Sequence, residues 1–465
     1  MQAVLKRFDY LTRSTPGLLL MATAWDALIV ALLGMLSAPM REIVRLPISL
    51  AEAERVGRII MVYHALAVPF VSAIVYLILD MVPTTEELAR AIRRAITPGF
   101  MLTSVGALTF AYLGRNWLFH GVFLLGMSLV FYAGVLLAVG LWPWRYPNQD
   151  LAYAHVGALS LERAAVFVTA VAMLLSVLIG AGAGAFFGNG FEAVLAEDIV
   201  REEHDLGELA VISHLHIMLA LIDVAIFLLV VRRFDLKGVL HKVAMPLTIL
   251  GTLVMALGCW SVLVWERIAH TIIYAGSSLV LLGALLMTIA GLDQLIKIRL
   301  NERQVTRPTL GQKLGALLHN PLHFGLFFQM IWLQVVMVFP GLYTAAKLDE
   351  IFRVWPLEAE RRILTGHWHI LATVSAVLMV LLVADRLNVR GWMRHVLGWG
   401  MLLGANLAFT IAVFYEFLPP GADRGWTIPF LDVGIAAALV SLALFLGRRL
   451  VDLFTDKGLW TEGMG

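Results

Sequence analysis

Apolar stretches of roughly 18 to 30 residues recur along the whole chain, separated by short polar connections. Each is long enough to cross about 30 Å of hydrocarbon as an α-helix. The pattern predicts spans at 16–38, 58–82, 97–115, 117–142, 162–187, 206–231, 239–263, 268–296, 315–344, 362–385, 395–418 and 427–447. Only Arg115-Asn116 divides the third from the fourth. The fold class expected is therefore all-α and integral to the membrane, with twelve transmembrane helices in a single transmembrane domain covering 1–465.

Composition agrees. The 465 residues are 60% hydrophobic and 15% charged, against about 25% charge in a soluble domain. The mean hydropathy is +0.84. A net charge of +2 with no long basic block gives no reason to expect nucleic acid. The single Cys259 excludes an internal disulfide framework, a Cys-rich iron–sulfur site and a Cys-based zinc site. No CxxCH occurs, so no covalent c-type haem is expected. Thirteen histidines are left as the main ligand supply.

The N-terminal MQAVLKRFDYLTRSTP is polar and basic, and the apolar run after it is too long for a signal-peptide core. It is read as a retained first helix. With the N-terminus inside, about 23 basic residues fall on that side and about 12 on the other. Lys237, Lys242 and the segment from Lys297 to Lys313 carry much of the bias. The expectation is a multi-pass protein of the cytoplasmic (inner) membrane with both termini cytoplasmic. The longer outer loops are acidic, as at Glu197-Asp198 and Glu202-Glu203.

The pattern also repeats about every 152 residues. EAERVGRIIMVYHALAVPF carries Glu52, Arg55 and His64; EEHDLGELAVISHLHIMLALI carries Glu202, His214 and His216; EAERRILTGHWHILATVSA carries Glu358, Arg361, His367 and His369. The last helix of each unit echoes too, through Arg115, Arg267 and Arg424. Repeats at approximately 16–142, 162–296 and 315–447 imply three four-helix units in a pseudo-threefold ring.

His64, His120, His214, His216, His270, His367 and His369 all fall in the first turns of even-numbered helices, near the outer face. Polar side chains in a membrane tend to face the bundle interior and mark function. In H-x-H the two imidazoles differ by about 200° around a helix axis. One helix can then serve two centres, one on each flank, whereas a single chelated metal favours i, i+3 or i, i+4 spacing. Haem iron accepts imidazole on both axial faces. His155, His204, His241, His319, His323 and His395 read instead as interfacial neighbours of headgroups.

Taken together, TGHWHILATVSAVLMVLLV and the histidines of helices two and six resemble subunit I of the haem–copper oxidase superfamily, which includes cytochrome c oxidases and nitric oxide reductases. The resemblance covers nearly the whole chain in topology and rests on helices two, six and ten in motif. It implies that His367 ligates a second haem and that His369 pairs with His64 on the first. The family's metal site needs a His-His pair on helix seven. Here that helix, VLHKVAMPLTILGTLVMALGCWSVLVW, has only His241, at the wrong end. Copper is therefore not expected. Either His214 or His216 could face His367, and the other could meet a further haem with His120 or His270. Arg115, Arg267 and Arg424 could pair with haem propionates, and Asp26, Asp223 and Asp432 could belong to a proton path or to packing.

The function expected is a membrane cytochrome carrying electrons through two or three bis-histidine haems b. It would sit with other subunits of a respiratory complex, with a c-type cytochrome or a quinone as partner. An electron-transfer subunit is favoured over a divergent oxidase or nitric oxide reductase catalytic subunit. A twelve-helix secondary transporter is the alternative from another class, with the GAGAGAFFGNG stretch at 180–190 in its favour.

Overall fold

The computed structural model describes residues 2–33, 55–114, 116–144, 155–157, 159–187, 206–347, 350–351 and 354–455. Arg115, His204, the acidic loop residues Glu197, Asp198, Glu202 and Glu203, and Glu52 lie outside them, as does the end of the glycine-rich stretch. The side chains of Arg55, Arg267, Glu358 and Arg361 lie outside them too.

Eleven helices among the described residues are long and apolar enough to cross a membrane. The pair Lys6–Arg13 and Thr15–Ala31, bent by 81°, makes a twelfth if taken as one span. The protein is thus an all-α, multi-pass membrane protein. Counting that pair as the first, the second to sixth spans are Arg55–Met81, Glu86–Leu113, Trp117–Gly140, Leu161–Phe187 and Leu206–Arg233. The seventh and eighth, Val239–Trp265 and Ile268–Glu302, run on from one another through a kink at Trp265. The ninth starts at Pro321, and the last three are Leu357–Arg386, Gly391–Phe417 and Thr427–Phe454.

Local chemistry explains the differences from the predicted bounds. The third span begins at Glu86, well before 97, because Thr85 is extended and Glu86 and Glu87 suit a helix N-terminus. It ends at Gly114, whose φ of +92° a side chain would resist. Two residues on, the Asn116 side chain accepts the Leu118 N–H at 2.7 Å and starts the fourth span. The run predicted at 315–344 is broken. A short helix, Leu310–Leu317, stops before Asn320, which caps a new helix opening on Pro321. Within the ninth span a π-helical turn, Gln334–Val338, separates Pro321–Leu333 from Phe339–Ala346. A two-residue hairpin, His155–Val156 with Leu159–Ser160, precedes the fifth span.

The chain divides into two compact regions. The described part of the first comprises residues up to Leu221 together with Cys259–Ala269; the second comprises Ile222–Gly258 and His270–Thr455. In the first, the third and fourth spans meet closely: a Cβ on Gly126 would fall 2.4 Å from the Thr103 nitrogen, and one on Gly106 2.6 Å from the Phe123 nitrogen. In the second, a Cβ on Gly276 would fall 2.3 Å from the Met255 nitrogen, and one on Gly434 2.7 Å from the Ala408 nitrogen. Small residues let helix backbones approach where lipid offers no hydrophobic drive between them.

Buried arginines in the first region, and a half-buried one in the second, close helix ends. Arg163 donates to the carbonyls of Pro83 at 2.7 Å and Gly140 at 3.2 Å. Arg58 donates to Ala111 O at 2.7 Å and Arg449 to Leu387 O at 2.5 Å. A helix end inside a membrane has carbonyls that water cannot reach, and a guanidinium with five donors can satisfy several.

Candidate functional site

Among the eleven unbroken spans of the described residues, the second, sixth and tenth are the most enclosed. They are also the helices on which the expected histidines stand. From Ile222 to Val231 every residue of the sixth span except Asp223 is buried, and the second is buried from Ser72 to Leu79. A helix that is apolar and buried on all sides needs protein around it. The histidines occupy the opposite, N-terminal parts of these helices.

Within the first region His64 and His214 lie close enough to interact electrostatically. His64 Nδ1 is 2.9 Å from the Ile60 carbonyl, one turn back on its own helix. His214 Nδ1 is 2.8 Å from the Ser176 carbonyl on the fifth span, with the Ser176 hydroxyl at 3.3 Å. A carbonyl can only accept, so each ring carries its proton on Nδ1 and presents a lone pair at Nε2. The His214 ring is seated against Gly180, where a Cβ would fall 2.7 Å from Cε1. Gly180 also explains why the fifth span tolerates glycine at this point: a larger residue would displace the imidazole.

The surroundings are apolar. Phe123 meets His64 edge-on at 5.6 Å and stacks beside His120 at 6.4 Å. Phe123 packs with Ala65 and Ala107, and Met61, Leu108 and Met127 lie against them. His120 thus shares an aromatic neighbour with His64. His216, two residues beyond His214, is half-buried.

In the second region His367 has a seat of the same kind. A Cβ on Gly341 would fall 2.5 Å from its Cε1. The preceding Gly366 lies against Glu416, which is 5% exposed. His369 is exposed, and His270 is half-buried at the start of the eighth span. Among the described residues no group of three His, Cys, Asp or Glu side chains could hold a metal ion together.

The arginines fall elsewhere. Arg424 donates from Nε to Tyr415 O at 3.2 Å, from Nη1 to Ala422 O at 3.2 Å, and from Nη2 to Leu418 O at 2.5 Å and Pro419 O at 3.0 Å. It closes the end of the eleventh span. Arg115 and the Arg267 side chain lie outside the described residues. Asp432 is exposed on the twelfth span, and Asp26 Oδ1 is buried without a hydrogen bond.

His323, read from the sequence as an interfacial neighbour of headgroups, has protein partners that the sequence reading did not name: its Nε2 is 2.7 Å from Asp385 Oδ1, and Arg233 Nε reaches Asp385 Oδ2 at 2.5 Å. Phe234 meets the His323 ring edge-on at 5.0 Å, and Gln294 donates to Phe234 O at 2.7 Å. A sequence signal existed, since Arg233 and Asp385 are 152 positions apart. Asp223 and Ser375, joined by a hydrogen bond, share that spacing. Gly99, Gly251 and Gly404, each at a tight helix crossing, stand 152 and 153 positions apart.

No family model, no curated protein and no solved structure matches the chain.

Proposed function

We propose that the protein is a membrane cytochrome that carries electrons through b-type haem held by paired histidines, and that it is a divergent relative of the oxidase subunit I family. The observation that carries this reading is the His64–His214 pair, in which both Nδ1 atoms are tied to backbone carbonyls and both Nε2 lone pairs are left for a ligand. A ligating histidine characteristically spends its other nitrogen on a carbonyl or carboxylate, which fixes its tautomer and orientation.

The residues present fit a haem. Two neutral imidazoles match the axial demand of the iron. The Phe123, Met61 and Met127 surroundings suit an apolar macrocycle and keep water out. Bound there, the iron would take up and return one electron with no coordination position left open. Ser176 and Ile60 hold the rings, and Gly180 sets how close His214 comes. His367, on its glycine seat, with His369, is the proposed ligand source for a second haem. His216, His120 and His270 remain candidates for a third. Arg424 leaves the proposal, because its guanidinium is spent on carbonyls.

The three-unit ring is part of the same reading. It is supported by the 152-residue spacing of the tight glycines and of the Arg233–Asp385 and Asp223–Ser375 pairs. We further propose the bacterial-type inner membrane with cytoplasmic termini, haems toward the outer side, and partner subunits with a quinone or c-type cytochrome as electron source or sink.

The test is a dithionite-reduced minus oxidised optical spectrum of the purified protein, repeated with carbon monoxide and accompanied by metal analysis. The expected result is sharp b-type bands, no change with carbon monoxide and no stoichiometric copper. A carbon-monoxide-shifted Soret band with copper or non-haem iron would make it a catalytic oxidase or reductase. A haem-free protein would overturn the reading and leave the transporter.

A further inference from the structure

The eighth span ends at Glu302, and Gln304, with a φ of +55°, turns the chain out of it. The short helix Leu310–Leu317 follows, before the ninth span opens at Pro321. Thr309 and Gln312 cap that helix reciprocally, so it stands as an element of its own. Its leucines do not point inward. Leu310, Leu314 and Leu318 are 74%, 50% and 40% exposed, while Ala316 on the other side is buried. Positions four apart are neighbours along one side of a helix. The three leucines therefore form an open apolar row, with Lys313 exposed beside it.

Cations gather next to this row. Gly398 on the eleventh span packs on Pro321, where a Cβ would fall 2.7 Å from the proline Cβ. That contact brings Arg394, one turn before Gly398, to the connection that carries His319. Arg299 and Arg303 arrive from the end of the eighth span. Burial, and then the guanidiniums of Arg299, Arg394 and Arg303, hold His319 below its ordinary pKa, with Glu302 opposing them. Glu302 is already bound to Arg299, at 2.6 Å. Among the described residues Arg303 and Arg394 have no carboxylate partner. Arg394 Nε is buried without a hydrogen bond.

The two halves together select an occupant. A soluble anion would use the cations and not the leucines. A neutral lipid would use the leucines and not the cations. An anionic phospholipid uses both, since guanidiniums bind phosphate with strong charge-assisted bonds and acyl chains cover leucine. The row also lies just past the end of a span, where an amphipathic helix rests among headgroups.

We propose that the end of the eighth span, the short helix after it and the start of the eleventh span form a binding site for an anionic phospholipid. Its phosphate lies among Arg303, Arg394 and His319, and its chains cover Leu310 and Leu314. The site requires that the chain span a membrane and stands whether or not the histidines bind haem.

Native mass spectrometry of the delipidated, full-length protein in detergent tests it. Phosphatidylglycerol and phosphatidylcholine with the same acyl chains are titrated separately. The wild type should bind one phosphatidylglycerol about tenfold more tightly than phosphatidylcholine. Arg303→Ala with Arg394→Ala should abolish that preference, and Arg303→Ala alone, at an exposed residue, should reduce it if the pair fails to fold. Leu310→Ser with Leu314→Ser keeps every cation and should still weaken phosphatidylglycerol. Lys237→Ala, at an exposed cation on another connection, should change nothing. A wild type without the preference, or a preference that survives loss of the arginines, would overturn the proposal. Displacement by inorganic phosphate, with no effect of the leucine substitutions, would make this a site for free phosphate, and the lipid would fall.

Discussion

His214 in the first region and His323 in the second are both half-buried histidines near the end of a span, and they are used in opposite ways. His214 spends Nδ1 on the Ser176 carbonyl and leaves Nε2 for a ligand, facing His64. His323 spends Nε2 on Asp385, which also holds Arg233. The first arrangement leaves a lone pair uncommitted, as the proposed haem ligation requires. The second is a bolt between the ninth and tenth spans and the end of the sixth. Which nitrogen is committed, and to what, separates a cofactor site from a structural ion cluster. Residue type and depth alone do not.

The comparison can be broken by exchanging roles. The largest effect is expected at the ligand pair: His64→Ala should leave the haem on His214 alone and so lower its occupancy, measured by the pyridine haemochrome assay, while leaving the helical circular dichroism intact. His323→Ala should leave haem content unchanged and lower stability instead. At the bolt, Asp385→Ala strands Arg233 and His323 without their carboxylate. Breaking a buried ion pair from one side costs about 3–5 kcal/mol, and the part-exposed Arg233 places this one at the low end. The thermal midpoint should fall with the haem spectrum retained.

Smaller effects sharpen the picture. Gly180→Ala would drive a methyl against His214 Cε1, and overpacking of this kind costs about 1–3 kcal/mol. A displaced ring should also shift the haem midpoint potential, which a redox titration reads. Gly182→Ala, with open space at its Cβ, is the silent control. Ser176→Ala should change least, because it removes only the 3.3 Å hydroxyl contact and keeps the 2.8 Å bond to the carbonyl. An altered potential there as large as that of Gly180→Ala would show that the hydroxyl, not the carbonyl, orients the ring.

The spans were legible because twenty apolar residues in a row have few other uses. Even the shortest divider, Arg115-Asn116, was marked by a glycine and a capping asparagine. What the pattern could not carry was the amphipathic start of the third span at Glu86, since its polar face hides it from a hydropathy reading. The break at Pro321 was hidden inside a run that stays apolar on both sides. The candidate histidines can be picked out of the sequence, but not their neighbours within a region, such as His214 beside His64. That contact depends on how helices pack, which no local pattern states. Ser176 and Gly180 were invisible for the same reason: a carbonyl and a missing side chain leave no chemical signature in a sequence.

The central claim is that His64 and His214 together hold one iron. Its most direct test is carbon monoxide added to dithionite-reduced wild type and to His214→Ala, followed in the Soret region at matched haem content. The account expects the wild-type spectrum to be unmoved. The His214→Ala spectrum should shift, since His64 would keep the haem while one axial position opened to the gas. Identical, unmoved spectra from both proteins would show that His214 is not a ligand and would contradict the account.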